Sequence, residues 1–222
     1  MSEPQPGTGL LIAFEGIEGS GKSTQVALLG DWLRSLSLEV VAAREPGGTM
    51  LGEGVRALLL ESAETASEVP ARAELMLMLA ARAALMEQIV EPALARGAIV
   101  LLDRFELSSF AYQGHGRGIP LAEVRAANAI VTRGRHPDLT LLLDVHEQTG
   151  AERRRAAART DDRIEAAGRA FHERVARGYR ELARNEHGVV VVDGTGEQSL
   201  VQERVRDELR RRFPETIGRA KG

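Results

Sequence analysis

A chain that carries Gly16-Ile17-Glu18-Gly19-Ser20-Gly21-Lys22-Ser23 has few folds open to it. The stretch follows an apolar run, Leu10-Leu11-Ile12-Ala13-Phe14, that reads as a buried strand. It opens a run from Thr24 to Leu36 that reads as a helix. Strand, G-x-x-x-x-G-K-S and helix, in that order, form the setting in which a glycine-rich loop cradles phosphates. Glycines let main-chain N–H groups turn inward where a side chain would block an anion. Lys22 adds a mobile positive charge, Ser23 has a hydroxyl suited to a bound Mg²⁺, and a helix N-terminus favours negative charge.

With 222 residues and 43% hydrophobic content, the chain is long and apolar enough for one α/β domain with a real core. Twenty-nine Lys plus Arg against 32 Asp plus Glu give a net charge of −3, which argues against a general nucleic-acid binder. There is no Cys, so a disulfide framework and thiolate chemistry are excluded, in keeping with a cytoplasmic protein. Residues 1–9 read as a loose polar tail. No stretch approaches the ~18 apolar residues of a membrane span. The five histidines stand at no metal-ligand spacing and are given no role.

Strands are expected at Leu38–Ala43, Ala98–Leu102, Leu139–Val145 and Val189–Val192, alternating with helices. That alternation predicts a doubly wound, five-stranded parallel sheet with right-handed crossovers. Ligands of such sheets bind at the carboxyl ends of the strands. The second strand ends in Arg44-Glu45-Pro46-Gly47-Gly48-Thr49, a rigid loop, and the third in Asp103-Arg104-Phe105. An Arg there can grip a phosphate through its planar fork, or it can simply pair with Asp103. A short helix is expected over Leu51–Leu60 and a long one from Pro70 to about Ile89 or beyond, with Pro92 near its kink or end. Arg82 lies within an apolar stripe of that long helix and shares a face with Met78, so it needs a partner. Helix spacing offers Glu74 or Glu87. Leu107–Gln113 reads as a short helix and Gly114-His115-Gly116-Arg117-Gly118 as a flexible loop. The run Arg153-Arg154-Arg155 through Arg159 to Glu165 reads as a mobile segment that carries Arg toward a transferring phosphoryl group. Helices over Leu121–Thr132, Phe171–Asn185 and Leu200–Phe213 complete the chain.

In this order the motifs resemble those of bacterial thymidylate kinases, P-loop nucleoside monophosphate kinases with a short lid. The match runs from about Leu10 to the last helix. It rests on Phe14 to Thr24, Arg44 to Thr49, Ala80-Ala81-Arg82, Asp103-Arg104-Phe105 with Ser109 and Tyr112-Gln113-Gly114, and Asp162-Arg163-Ile164-Glu165. The P-loop alone fits many families, whereas the combination is specific.

The resemblance implies transfer of the γ-phosphoryl group of ATP to dTMP, giving dTDP for dTTP synthesis, with Mg²⁺. It implies a single domain over 10–214 with a lid at about 150–165, a C-terminal tail over 215–222, and a homodimer. The loop of Gly16, Ile17, Glu18, Gly19, Ser20, Gly21, Lys22, Ser23 and Thr24 would hold ATP. Glu18 would meet the deoxyribose 3′-hydroxyl, and Lys22 would ride with the transferring group. Arg104 would orient the dTMP phosphate, with Asp103 assisting at a metal it shares with Ser23. Glu45, Pro46 and Arg56 would support the monophosphate side, with Tyr112 beside them. Arg154, Arg155 and Arg159 are the candidate lid arginines, and Asp193-Gly194-Thr195 lies where the adenine loop would be. Arg82, a donor only, suits the O4 acceptor of thymine, while Ser109 and Gln113 can accept from or donate to the base edge. Met78 stands where the family usually has a Phe that stacks on thymine. A thioether keeps dispersion contact without that geometry. A kinase for dUMP or UMP is the alternative in the same class, and a P-loop ATPase switch is the alternative from another.

Overall fold

The computed structural model describes residues 9–60, 69–156, 164 and 166–218, the side chains of 154 and 156 excepted. Its sheet consists of β1 (Leu10–Glu15), β2 (Val40–Arg44), β3 (Ile99–Asp103), β4 (Leu139–Asp144) and β5 (Val189–Asp193). All neighbours are parallel, and the order across the sheet is β2-β3-β1-β4-β5. The chain leaves β1 toward one edge and returns at β3, then crosses β1 to β4 on the other side. The crevice above the carboxyl ends of β1 and β3 is therefore the topological switch point.

β1 is buried along its whole length, as a central parallel strand with helices on both faces must be. Its side chains alternate. Leu10, Ile12 and Phe14 face one core with Val26, Leu29 and Leu33 of helix α1 (Lys22–Ser35). Leu11 and Ala13 face another, built with Leu85, Met86 and Val90. Each large aliphatic side chain so buried contributes about 1.5–3 kcal/mol. A polar substitution at Leu11 or Ile12, both 0% exposed, would break the centre of the sheet.

Helix α2 (Met50–Leu59) is capped by Thr49, whose hydroxyl accepts from the Gly52 N–H at 2.9 Å. Helix α3 (Ala71–Leu85) starts after Pro70, as expected, but not as one rod to Ile89. It widens into a π turn over Met86–Val90 and continues as α4 (Glu91–Ala95). Pro92 lacks the N–H that a regular α ladder needs, and the widening lies directly before it. Helix α5 (Glu106–Ser109) runs on into a second π segment, Phe110–Gly116. Helices α6 (Leu121–Thr132), α7 (Glu147–Ala156), α8 (Arg169–Asn185), α9 (Gln198–Arg212) and α10 (Pro214–Gly218) follow.

Two sequence expectations are corrected here. Gly114, His115 and Gly116 belong to the π segment, not to a flexible loop. A Cβ on Gly116 would lie 2.6 Å from the Phe171 ring, so the missing side chain there serves close packing of α8. Residues 215–218, expected to begin a tail, form most of α10, whose Ile217 packs into the core of α1 and α9. Among the described residues no helix is long and apolar enough to cross a membrane.

Candidate active site

Strand register gathers the site. Arg44 of β2 pairs with Asp103 of β3, and Phe14 of β1 pairs with the same Asp103. The Glu45 N–H then reaches the Asp103 carbonyl and the Arg104 N–H reaches the Phe14 carbonyl, each at 2.9 Å. Glu45, Asp103, Arg104 and the loop after β1 thus stand on one edge. They line a cleft of about 1410 Å³ that also takes in α2, α3, the second π segment and the loop after β5.

At one end lies the glycine loop. Gly19 and Gly21 have φ of 75° and 98°, in the left-handed region that glycine adopts without strain. A Cβ on Gly19 would lie 2.2 Å from the Gly150 carbonyl oxygen, so the loop is pressed main chain to main chain against the first turn of α7. Lys22 is 6% exposed, and its Nζ donates to the carbonyls of Gly16 and Ile17 at 3.1 and 2.9 Å. Burial, and then the nearby Arg104, hold its ammonium below the ordinary lysine range. Gly16 and Ile17 thus bind Lys22 through their carbonyls, and neither lines the cleft. Ser23 Oγ donates to Asp103 Oδ2 at 2.5 Å, which brings two hard oxygen ligands together beside the loop.

Arg104 occupies the middle. Its φ is 75°, a conformation costly for a side chain with Cβ, and five hydrogen bonds hold its guanidinium. That group donates to Gly16 O at 3.1 Å, Ser108 Oγ at 3.1 Å and Tyr179 Oη at 3.2 Å. It also donates to Glu18 at 2.5 Å and Tyr112 Oη at 3.3 Å, and it stacks over the Tyr112 ring at 5.1 Å. Lys22 and Arg104 therefore converge on one carbonyl, that of Gly16. Two cations aimed at one point with main-chain N–H groups alongside make a place for transferring anionic groups.

The far end is lined by Pro46, Arg56, Met78, Arg82, Ser109 and Gln113. Arg56 donates to the Pro46 carbonyl at 3.1 Å. Arg82 pairs with neither Glu74 nor Glu87. Its partner is Glu45, on another strand end, at 2.5 Å, because α3 turns this face to the sheet edge. Its remaining donors go to Ser109 Oγ, Asn128 Oδ1 and the Phe105 carbonyl. Glu74 instead binds Gln113 and Arg117, and Glu87 binds Arg133.

Of the arginines expected to serve a lid, the side chain of Arg154 and all of Arg159 lie outside the described residues, and Arg155 donates back to the Ala151 carbonyl of its own helix. Arg153, the first arginine of the run and not among those candidates, lines the cleft and donates to the Gly194 carbonyl at 3.1 Å. Two further residues were missed. Glu15, 0% exposed, accepts from the N–H groups of Phe105 and Ser108, from Ser108 Oγ and from Tyr179 Oη. Burial pushes its carboxyl up from the ordinary value, and these donors and Arg104 oppose the shift. Tyr179 fastens α8 to the same point. A charged residue ending an otherwise apolar strand was the available signal for Glu15. Nothing local marked Tyr179.

A family model described as thymidylate kinase matches residues 14–205. Curated relatives named thymidylate kinase include one from Gloeobacter violaceus, 49% identical over 81% of this chain and 84% of its own length. Another, from Nostoc punctiforme, is 44% identical over 91% of this chain and 96% of its own length. The crystal structure of thymidylate kinase from Ehrlichia chaffeensis superposes with a TM-score of 0.73 at 32% identity, covering 92% of this chain and all of that one.

Proposed function

The chain belongs to the thymidylate kinase family, and we infer from that membership and from the cleft that it is an enzyme moving the γ-phosphoryl group of ATP to dTMP, giving dTDP. The observation that carries the assignment of roles is the convergence of Lys22 and Arg104 on the Gly16 carbonyl. Phosphoryl transfer asks the protein for positioning and for charge opposite the moving group, and no covalent intermediate is needed.

Main-chain N–H groups of residues 18–24 hold the ATP phosphates, Gly16 and Ile17 hold Lys22 in place through their carbonyls, and Lys22 follows the group in transit. Arg153, between the glycine loop and Gly194, covers the nucleoside end of ATP, while Arg154, Arg155 and Arg159 are the lid candidates for the phosphates. Arg104 and Arg56 grip the dTMP phosphate, and Glu18, held by Arg104 and Tyr112, takes the sugar hydroxyl. Glu45 and Pro46 wall that side. Arg82, Ser109, Gln113 and Met78 surround the base. The oxygens of Ser23 and Asp103 fit Mg²⁺, which when bound neutralises phosphate charge. A second copy of the chain fits the exposed apolar side chains Leu51 and Leu58 of α2, Met76 of α3 and Ile130 of α6, helices that pack side by side. ATP and dTMP as substrates suit a cytoplasmic site of action.

The test is a coupled assay of dTMP-dependent ADP formation, with Lys22→Ala beside the wild type. The variant is expected to keep the wild-type circular dichroism spectrum and lose transfer. Wild-type-like turnover in Lys22→Ala, or ATP hydrolysis indifferent to dTMP, overturns the reading.

A further inference from the structure

Glu74 has no task in the scheme above, yet it is completely buried on α3, about two turns before Arg82. Its Oε1 accepts from Gln113 Nε2 at 2.9 Å and from Arg117 Nε at 3.2 Å, and its Oε2 accepts from Arg117 Nη2 at 3.0 Å. An ionised carboxylate only accepts. The Gln113 amide, 2% exposed, therefore has one orientation that satisfies Glu74. Its nitrogen faces α3, and its oxygen is left to the opposite side, toward the cleft that Gln113 lines. Turning the amide over would set oxygen against oxygen in a buried place and lose a hydrogen bond to a charged group.

Arg82 leaves this choice to Gln113. A guanidinium has five N–H donors, and those of Arg82 go to Glu45 twice, Ser109, Asn128 and the Phe105 carbonyl. A base edge can only share one of these donors.

We propose that Glu74 is a positioning residue for base choice: by locking the Gln113 carboxamide with its oxygen toward the cleft, it makes the pocket accept an imide N–H and reject a bare ring nitrogen. Thymine and uracil carry a hydrogen on N3. Cytosine presents N3 as an acceptor, which would meet the Gln113 oxygen lone pair to lone pair. A free amide could turn over and offer its NH₂ to cytosine. Glu74 prevents that. The inference rests on reading the far end of the cleft as the dTMP site.

The experiment compares kcat/KM for dTMP and dCMP in the wild-type chain, in Glu74→Gln and in Gln113→Met. A glutamine at 74 can offer either oxygen or nitrogen, so the pair can reverse together. The preference for dTMP over dCMP is expected to narrow about ten- to hundredfold in Glu74→Gln, the worth of one hydrogen bond to a charged group. A purely structural role would slow both substrates alike, so an unchanged ratio in folded Glu74→Gln overturns the proposal. If Glu74→Gln does not fold, Gln113→Met decides, because it leaves Glu74 paired with Arg117. There too a narrowed ratio supports the proposal and an unchanged one overturns it. A wild type without preference for dTMP fails the substrate reading itself, and this inference with it.

Discussion

Nε and Nη2 of Arg82 fall on a single oxygen of Glu45, Oε2, at 2.8 and 2.5 Å, while Glu45 Oε1 is buried with no hydrogen-bond partner among the described residues. Both side chains are nearly inaccessible, at 3% and 6%. Burial pushes the Glu45 carboxyl above its ordinary value, and Arg82 opposes that shift. The pair ties α3 to the end of β2, and desolvation has used up much of its attraction. Removing one partner is another matter. Glu45→Gln leaves a buried guanidinium facing a neutral amide and is expected to cost about 3–5 kcal/mol in urea unfolding. A loss below about 1 kcal/mol would mean that the remaining acceptors of Arg82 suffice.

Ser23 and Asp103 make a second close pair, 80 residues apart in sequence. In the free protein the hydroxyl donates a hydrogen bond to the carboxylate. A hard cation would take both oxygens. Ser23→Ala is expected to raise the Mg²⁺ concentration for half-maximal rate about tenfold or more, as loss of a ligand or its support does elsewhere. Rates as a function of Mg²⁺ at saturating ATP and dTMP measure it. An unchanged midpoint would take Ser23 out of the metal site.

The element order, the parallel sheet and the glycine loop were legible because each rests on local pattern: apolar runs for central strands, spacing of three and four for helices, G-x-x-x-x-G-K-S between them. The residues lining the cleft were legible through motif combination, as Glu18, Arg104 and Gln113 show. Partnerships were not. Arg82 offered two carboxylates on its own helix and took a third from a strand end, because register between β2 and β3 decides what faces α3. The glycines at 114 and 116 looked like a loop because glycine marks loops and close packing alike, and only the position of α8 separates the two. The π widening before Pro92 follows from a missing N–H. A missing N–H also fits a kink or a helix end, so sequence could not choose.

Gly150 on α7 approaches the glycine loop so closely that a Cβ there would lie 2.6 Å from the Glu18 carbonyl oxygen. That oxygen is main chain and cannot swing away. Gly150→Ala must move either α7 or the residues before Lys22. Overpacking of this kind costs about 1–3 kcal/mol, and here it falls on the nucleotide loop. KM for ATP is expected to rise about tenfold, with KM for dTMP changed much less. Equal rises for both substrates would mean that the whole cleft, and not this junction, has shifted.

Lys22 gives a pH signature. Burial and then Arg104 hold its pKa below the ordinary 10.5, with Glu18, Asp103 and Glu15 pulling the other way. On warming or in urea, the sign is fixed by which state keeps the proton. Between the lowered folded pKa and 10.5 the unfolded chain holds it and the folded chain does not, so the stability of the free protein rises with pH across that window. Nucleotide binding runs the opposite way. Phosphates beside Nζ restore the charged form, so ATP binding within the window takes up a proton, and affinity falls as pH rises through it. Below the window Lys22 is charged in both states and the dependence flattens. Calorimetric titration with ATP at alkaline pH, in two buffers of different ionisation enthalpy, is expected to show proton uptake in the wild type and none in Lys22→Met. Equal uptake in both would assign the proton to another group and leave Lys22 charged before the nucleotide arrives.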